Sequence, residues 1–432
     1  MIIGAGIFAL PGDAAAQLGA HAWMAYVVCA LAMTCVLMCF AVAGSLVTTS
    51  GGPYAYVQVA FGPFPAFLSG VLLWVGAVVS SAAVAVVFAT MLGTIVPAVA
   101  TPLGRAVTLL LIYAVAVLIN VRGVRDGART ATGFAVAKLV PLVGLAVIAG
   151  IMYALGKIAP PAAVPLASGA AAADVPTVGA VGRTALVLIF AFLGAEVALA
   201  PSGEVSRPSR TVPLGILIAL AVVTALYLGL QATAWAVLGP ALAQEGPIRT
   251  APLAAVGSRL FGPVGTAVLS GGALISTAGY VLGDILASPR ILFALATDGY
   301  LPRALGRVHP KYETPATAII VHGVLTVILA LTGTFATLAI LNNVAILVLY
   351  LVCCLAALVL LQRSAKRAQS GAIEDPDSRP FTPPFGPLIP LVACGVLVWL
   401  LAQAKLEEFA AVGAALAIAT GAYLLKQRAS RS

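Results

Sequence analysis

The feature that most constrains this chain is its succession of apolar runs, many of 18 residues or more, separated by short polar stretches. In hydrocarbon every backbone N–H and C=O must be paired within the protein, so such a run folds as a helix of about 20 residues. Spans are expected at 22–48, 66–96, 103–121, 131–154, 183–205, 212–238, 264–294, 315–333, 337–361, 387–403 and 408–425, with a partial span at 1–18 before them. Counting the partial one, that makes twelve. Only 9% of residues are charged, against about 25% in soluble globular proteins. The expectation is an all-α membrane protein built as one bundle, not a set of soluble domains.

Charge placement orients the bundle. Assigned to alternate sides of the spans, the Lys and Arg residues divide sixteen against six, with Lys138 inside a span. The positive-inside rule puts the richer side in the cytoplasm. A multi-pass protein of the inner (plasma) membrane with a cytoplasmic C-terminus is therefore expected. The net charge of +9 is spread over loops and forms no basic patch with aromatics, which argues against a nucleic-acid partner. The six cysteines lie within apolar spans and have no His or carboxylate beside them. They read as small buried hydrophobes, so neither a metal nor a cofactor is expected. His21, His309 and His322 are scattered and offer no nucleophile–base pair, which speaks against a membrane enzyme. Asp13 and His322 carry no assignment beyond a water-exposed end or a packed surface. A non-transporting sensor would need a soluble signalling domain, and no segment here has the makings of one.

The chain opens without the basic flank or cleavage site of a signal peptide. Met1 would lie near mid-membrane, where a charged amino terminus costs at least about 2.5–3.5 kcal/mol. The first helix is accordingly expected to lack its first half, with roughly 15–40 residues to be sought upstream.

Two segments at membrane depth combine glycine with aromatic or acidic residues: Gly4-Ala5-Gly6-Ile7-Phe8, and Phe190-Ala191-Phe192-Leu193-Gly194-Ala195-Glu196. Glycine permits unwinding, and a carboxylate such as Glu196 needs a cavity or partner. The two segments lie five spans apart, so their helices run in opposite directions. A second echo has the same offset. Pro53 leads to Phe61-Gly62-Pro63 and Leu68-Ser69-Gly70, while Pro252 leads to Phe261-Gly262-Pro263 and Leu269-Ser270-Gly271. This is the pattern of a five-plus-five inverted repeat with two appended spans. An unwound helix offers N–H groups to a carboxylate and carbonyls to an ammonium group, which together suit an α-amino acid. The plain alternative is that the glycines serve close helix packing.

Four ordered motifs carry a resemblance over nearly the whole chain. Gly4-Ala5-Gly6-Ile7-Phe8 is similar to a G-x-G-I-F motif, and Ser50-Gly51-Gly52-Pro53-Tyr54-Ala55-Tyr56 to a G-G-x-Y-x-Y loop. Phe192 to Glu196 with Gly203 to Pro213 resembles F-x-G-x-E followed by E-x-x-x-P-x-R-x-x-P. Ser288-Pro289-Arg290 through Asp298-Gly299-Tyr300-Leu301-Pro302 to Pro315 resembles a signature loop after the eighth helix, with Thr297 in place of the usual Arg. On these motifs the sequence resembles the amino acid–polyamine–organocation (APC) superfamily of permeases, including its basic amino acid/polyamine antiporters.

The resemblance implies a twelve-span LeuT-like bundle. Its transporter core would cover 1–362, with repeats at about 1–155 and 183–362. A cytoplasmic linker would follow at 363–386 and two further helices at 387–427, while 157–182 would be an irregular external loop. It implies secondary transport of amino acids by alternating access, sodium-independent, with a proton or a counter-substrate as second partner; polyamines or other organic cations are the alternative cargo. Backbone groups of Gly4, Ala5, Gly6 and Ile7 would hold the carboxylate and carbonyls from Phe190 to Gly194 the amino group, with Phe192 as an aromatic gate. Glu196 would take part in proton-sensitive release or stabilise a half-helix N-terminus. Lys138 would bind exposed carbonyls of the first helix and exchange a proton, or else snorkel to the cytoplasmic face. Asp284 would contact a cationic substrate, a proton or Lys138, or be hydrogen-bonded between helices.

Overall fold

A computed structural model describes residues 4–47, 52–122, 127–158, 176–194, 208–369, 381 and 386–429, without the side chains of 127–138, 208–213, 367–369 and 425–429. The regular structure of the described residues is helical throughout. The long apolar helices are α1 (Gly6–Leu18), α2 (Trp23–Leu46), α4 (Pro63–Gly93), α5 (Pro102–Arg122), α6 (Gly127–Ala154), α8 (Pro208–Leu238), α10 (Pro252–Ala287), α12 (Ala316–Thr332), α13 (Phe335–Gln369), α14 (Leu388–Leu401) and α15 (Leu406–Ala429). Between them lie α3 (Pro53–Phe61), α7 (Val178–Leu188), α9 (Pro247–Thr250) and α11 (Pro289–Thr297). Proline opens many of these helices, at a position where its missing N–H has no intrahelical partner to lose.

Seven helical stretches among the described residues are long and apolar enough to cross a membrane, and four shorter apolar helices accompany them. Burial separates an inner set from an outer one. The most apolar window of α4 is 67% buried and that of α5 only 17%. Leu103, Leu111, Val140, Val147, Leu214, Val222, Leu406 and Ile418 are all exposed on α5, α6, α8 and α15. Such a ring of bare aliphatic side chains is the surface that lipid tails solvate, and water would not tolerate it. Inside it, α1, α2, α4, α7, α10 and α13 contribute to one continuous core.

The second sequence echo has a matching local structure. Gly62 (φ +91°) separates α3 from α4, and Gly262 (φ +63°) kinks α10 after Phe261. Each glycine precedes a proline that starts the next helical segment. The left-handed conformation is open to glycine at little cost, and the proline then fixes the helical φ beyond it.

Three sequence boundaries are corrected. The stretch read as one span at 264–294 is two helices, since α10 ends at Ala287 and Pro289 opens α11. The stretch read as loop to 182 contains the start of α7 at Val178, capped by the Thr177 side chain on the Ala180 N–H. The stretch read as linker from 363 begins as helix, because α13 continues to Gln369. Arg363 anchors that part of α13, its guanidinium donating to the carbonyls of Val59 and Ala60 at the end of α3, at 2.9 and 3.1 Å.

Candidate functional site

The break foreseen near Phe190–Glu196 begins where α7 tightens into a 3-10 turn at Ile189–Phe192. Leu193 is then extended (ψ 159°), and Gly194 has φ +97°. A helix that ends inside a protein exposes carbonyls that need partners. Asn343 supplies them from the third turn of α13, its Nδ2 donating to the carbonyls of Leu186 (2.7 Å) and Val187 (3.2 Å). The Tyr227 hydroxyl of α8 donates to the Ala191 carbonyl at 2.9 Å.

The other break meets this one. α1 starts at Gly6, just after Gly4 and Ala5, and the Gly6 backbone packs directly on Ala191. A β-carbon on Gly6 would stand 2.8 Å from the Ala191 Cβ and 2.9 Å from its Cα. Only glycine allows this approach. Thr184 of α7 adds a hydrogen bond to Gln17 of α1 at 3.2 Å.

Aromatic rings enclose the junction. Phe192 is fully buried, with its ring 5.3 Å from Tyr227 and 6.5 Å from Tyr26 of α2. The Tyr26 hydroxyl donates to Gln231 Oε1 of α8 at 3.2 Å. Phe190 packs edge-on against Phe335, with centroids 5.6 Å apart. Ala5 and Ile7 are buried beside them, and Gly4 is half-buried. Thus Gly4, Ala5, Gly6, Ile7, Phe190, Phe192 and Gly194 gather around one junction of α1 and α7. Glu196 lies outside the described residues, as does the side chain of Lys138 on α6.

Asp284 sits elsewhere along α10. Its carboxylate accepts from the Ser288 hydroxyl and lies 2.9 Å from His322 Nε2 on α12. His322 is completely buried, and its Nδ1 accepts from Trp74 Nε1 of α4 at 3.2 Å. Midway along α1, Asp13 takes two bonds of 2.9 Å from Arg249 of α9.

Sequence reasoning did not assign Asn343, Tyr227, Gln231, Trp74, Ser288 or His322. A signal was present for Asn343 and His322, because each is a strongly polar side chain inside a long apolar run, where such groups are costly without a partner.

The chain is similar to known transporters over most of its length. A methylthioribose transporter of Bacillus subtilis is 27% identical over 93% of this chain and 84% of its own length. A serine/threonine exchanger, SteT, of the same organism is 26% identical over 96% of this chain and 91% of its own. The b(0,+)-type amino acid transporter 1 of Mus musculus is 27% identical over 77% of this chain and 67% of its own. The family described as amino acid permease matches residues 1–418. The chain is a multi-pass membrane protein of the amino acid permease family, within the APC superfamily.

Proposed function

We propose that this protein moves amino acids across the plasma membrane by alternating access around the junction of α1 and α7. The observation that carries the reading is the convergence of two helix ends, Gly6 of α1 against Ala191 beyond α7. N–H groups at the start of α1 are suited to a substrate carboxylate. Carbonyls after the 3-10 turn are suited to its ammonium group. The Ala191 carbonyl already accepts from Tyr227, so the reading leans on Phe190, Phe192 and Leu193. Phe192, enclosed by Tyr26 and Tyr227, would have to move for substrate to pass.

The reading includes the finer architecture: twelve spans in five-plus-five inverted repeats, with two appended helices and a cytoplasmic C-terminus. The paired corners at Gly62 and Gly262 support the repeat. Transport is sodium-independent in this proposal, by proton symport or by exchange, with Glu196 and Lys138 in coupling roles. A relative named as an exchanger favours exchange as a mode to test first.

Uptake of labelled alanine, serine, leucine and arginine into proteoliposomes, with and without sodium, tests the proposal. Transport of at least one without sodium is the expected result. Lack of transport of every amino acid by the purified protein would sink it. Putrescine and methylthioribose belong in the same panel as the competing cargo classes.

A further inference from the structure

The cluster around Asp284 is remote in its bonding from the α1–α7 junction, and it has a definite proton balance. Trp74 Nε1 carries a hydrogen that it can only donate, so His322 Nδ1 must accept it. With Nδ1 occupied as an acceptor, the hydrogen of a neutral imidazole sits on Nε2 and points to Asp284 Oδ2, 2.9 Å away. Ser288 donates to the other carboxylate oxygen. The arrangement is a carboxylate beside a neutral histidine, with a net charge of one negative unit inside apolar helices.

Nothing described nearby offsets that charge. No Lys or Arg among the described residues forms an ion pair with Asp284. Among the described side chains, the titratable ones packed around it are Tyr113 of α5, bonded to Ser81 at 3.0 Å, and Tyr280 of α10, bonded to Ser80 at 2.9 Å; α6, which also packs on α10, carries Lys138, whose side chain lies outside the described residues. Asn120 of α5 turns its amide to the Leu282 carbonyl. Arg290 of α11 is exposed, and Asp13 and Arg249 engage each other. Among the described side chains only neutral groups hold this carboxylate; a buried carboxylate held that way is costly in a membrane, and a proton is the smallest species that neutralises it.

We infer that Asp284, held by His322 and Ser288, is a proton-binding site of this protein, distinct from the junction that would take substrate. The balance is simple. The carboxylate oxygen facing Ser288 takes a proton from water and becomes an O–H, and the serine hydroxyl turns from donor to acceptor. His322 and Trp74 keep their bonds. Protonating Nδ1 instead would break the bond from Trp74. Asp284 keeps a residual exposure of 9% and lies one turn before the α10–α11 junction. The site joins α4, α10 and α12, so its charge acts on the contact among these three helices. Its link to transport rests on the reading proposed above; its proton chemistry does not.

The test has two arms. Infrared difference spectra of the reconstituted protein, acid minus alkaline buffer, should contain the C=O stretch of a desolvated protonated carboxyl group. That band should vanish in Asp284→Asn and persist in His322→Gln, whose amide can replace both imidazole contacts. In Ser288→Ala its pH profile should change, because the carboxylate loses a donor. The Ser288 variant carries the test if Asp284→Asn does not fold. In the second arm, Asp284→Asn should lose amino-acid accumulation driven by a proton gradient while retaining counterflow of labelled amino acid. A band unchanged in Asp284→Asn, or one that titrates identically in Ser288→Ala, would overturn the assignment. An intact, Asp284-dependent band in a protein that transports no amino acid would count against the transport reading alone.

Discussion

Asn343 donates its side-chain amide to two successive carbonyls of α7, those of Leu186 and Val187, across 157 and 156 residues of sequence. It thereby satisfies the backbone where α-helix gives way to 3-10 turn. Asn343→Ala should leave two buried acceptors short of a donor and cost about 1–3 kcal/mol of stability. Thermal unfolding in detergent measures that loss. Substrate affinity should fall with it, because the carbonyls after the turn are placed by this anchor. Unchanged stability and unchanged half-saturation would remove Asn343 from that role.

Gly6→Ala should be more damaging than its size suggests. The added methyl would press on Ala191, backbone included, and overpacking of this kind costs about 1–3 kcal/mol. The expected outcome is a folded protein with little uptake. A compensating Ala191→Gly change should recover part of it, since it removes the Cβ that the new methyl meets. Uptake by the single and double variants decides.

Asp13 and Arg249 are both largely covered, with side-chain exposures of 19% and 29%. Removing the cation alone, as in Arg249→Met, leaves a mostly buried carboxylate unpaired and should cost about 1–3 kcal/mol. The double change Asp13→Leu with Arg249→Met should cost less than the sum of its parts, because neither charge is then stranded. Four unfolding curves complete the cycle. Strict additivity would mean the pair does not couple α9 to α1.

Tyr54 donates weakly to Asp298 at 3.5 Å, so two of the sequence motifs touch. Partial burial, the Asp298 charge and neighbouring Tyr300 push the Tyr54 phenol up to about 12. A phenol whose folded-state value is raised binds a proton that the unfolded chain has released. Stability should therefore fall as pH rises from about 10, the ordinary tyrosine value, toward about 12. Tyr54→Phe should flatten that part of the alkaline profile. An identical profile in the variant would show that other groups govern it.

Much of this could be read from residue order, and the reasons are local. Hydropathy placed α2, α4, α5, α6 and α12 to within a few residues, because a long apolar run leaves lipid-buried backbone no choice but helix. The echo around 62 and 262 falls on two glycines that share a left-handed φ. Hydropathy alone was blind at Ser288, where the short triplet Ser288-Pro289-Arg290 divides the helix inside a longer apolar stretch, and at Arg363, where charge begins but helix goes on. It also gave no pairing. His322 and Asp284 are 38 residues apart, and Asn343 and Leu186 are 157 apart. Such contacts depend on which helix faces meet, and no periodicity within either helix records that.

Arg363 gives α13 a mechanical character. Near its N-terminal end, Asn343 grips the carbonyls of α7; several turns on, Arg363 grips those of Val59 and Ala60 in α3. One stiff rod thus has two handles, on segments that are far apart in the chain. A tilt of α13 cannot loosen the α7 end without pulling on α3, whose Tyr54 reaches Asp298. Motion at the membrane interior and motion at that loop are strokes of a single lever.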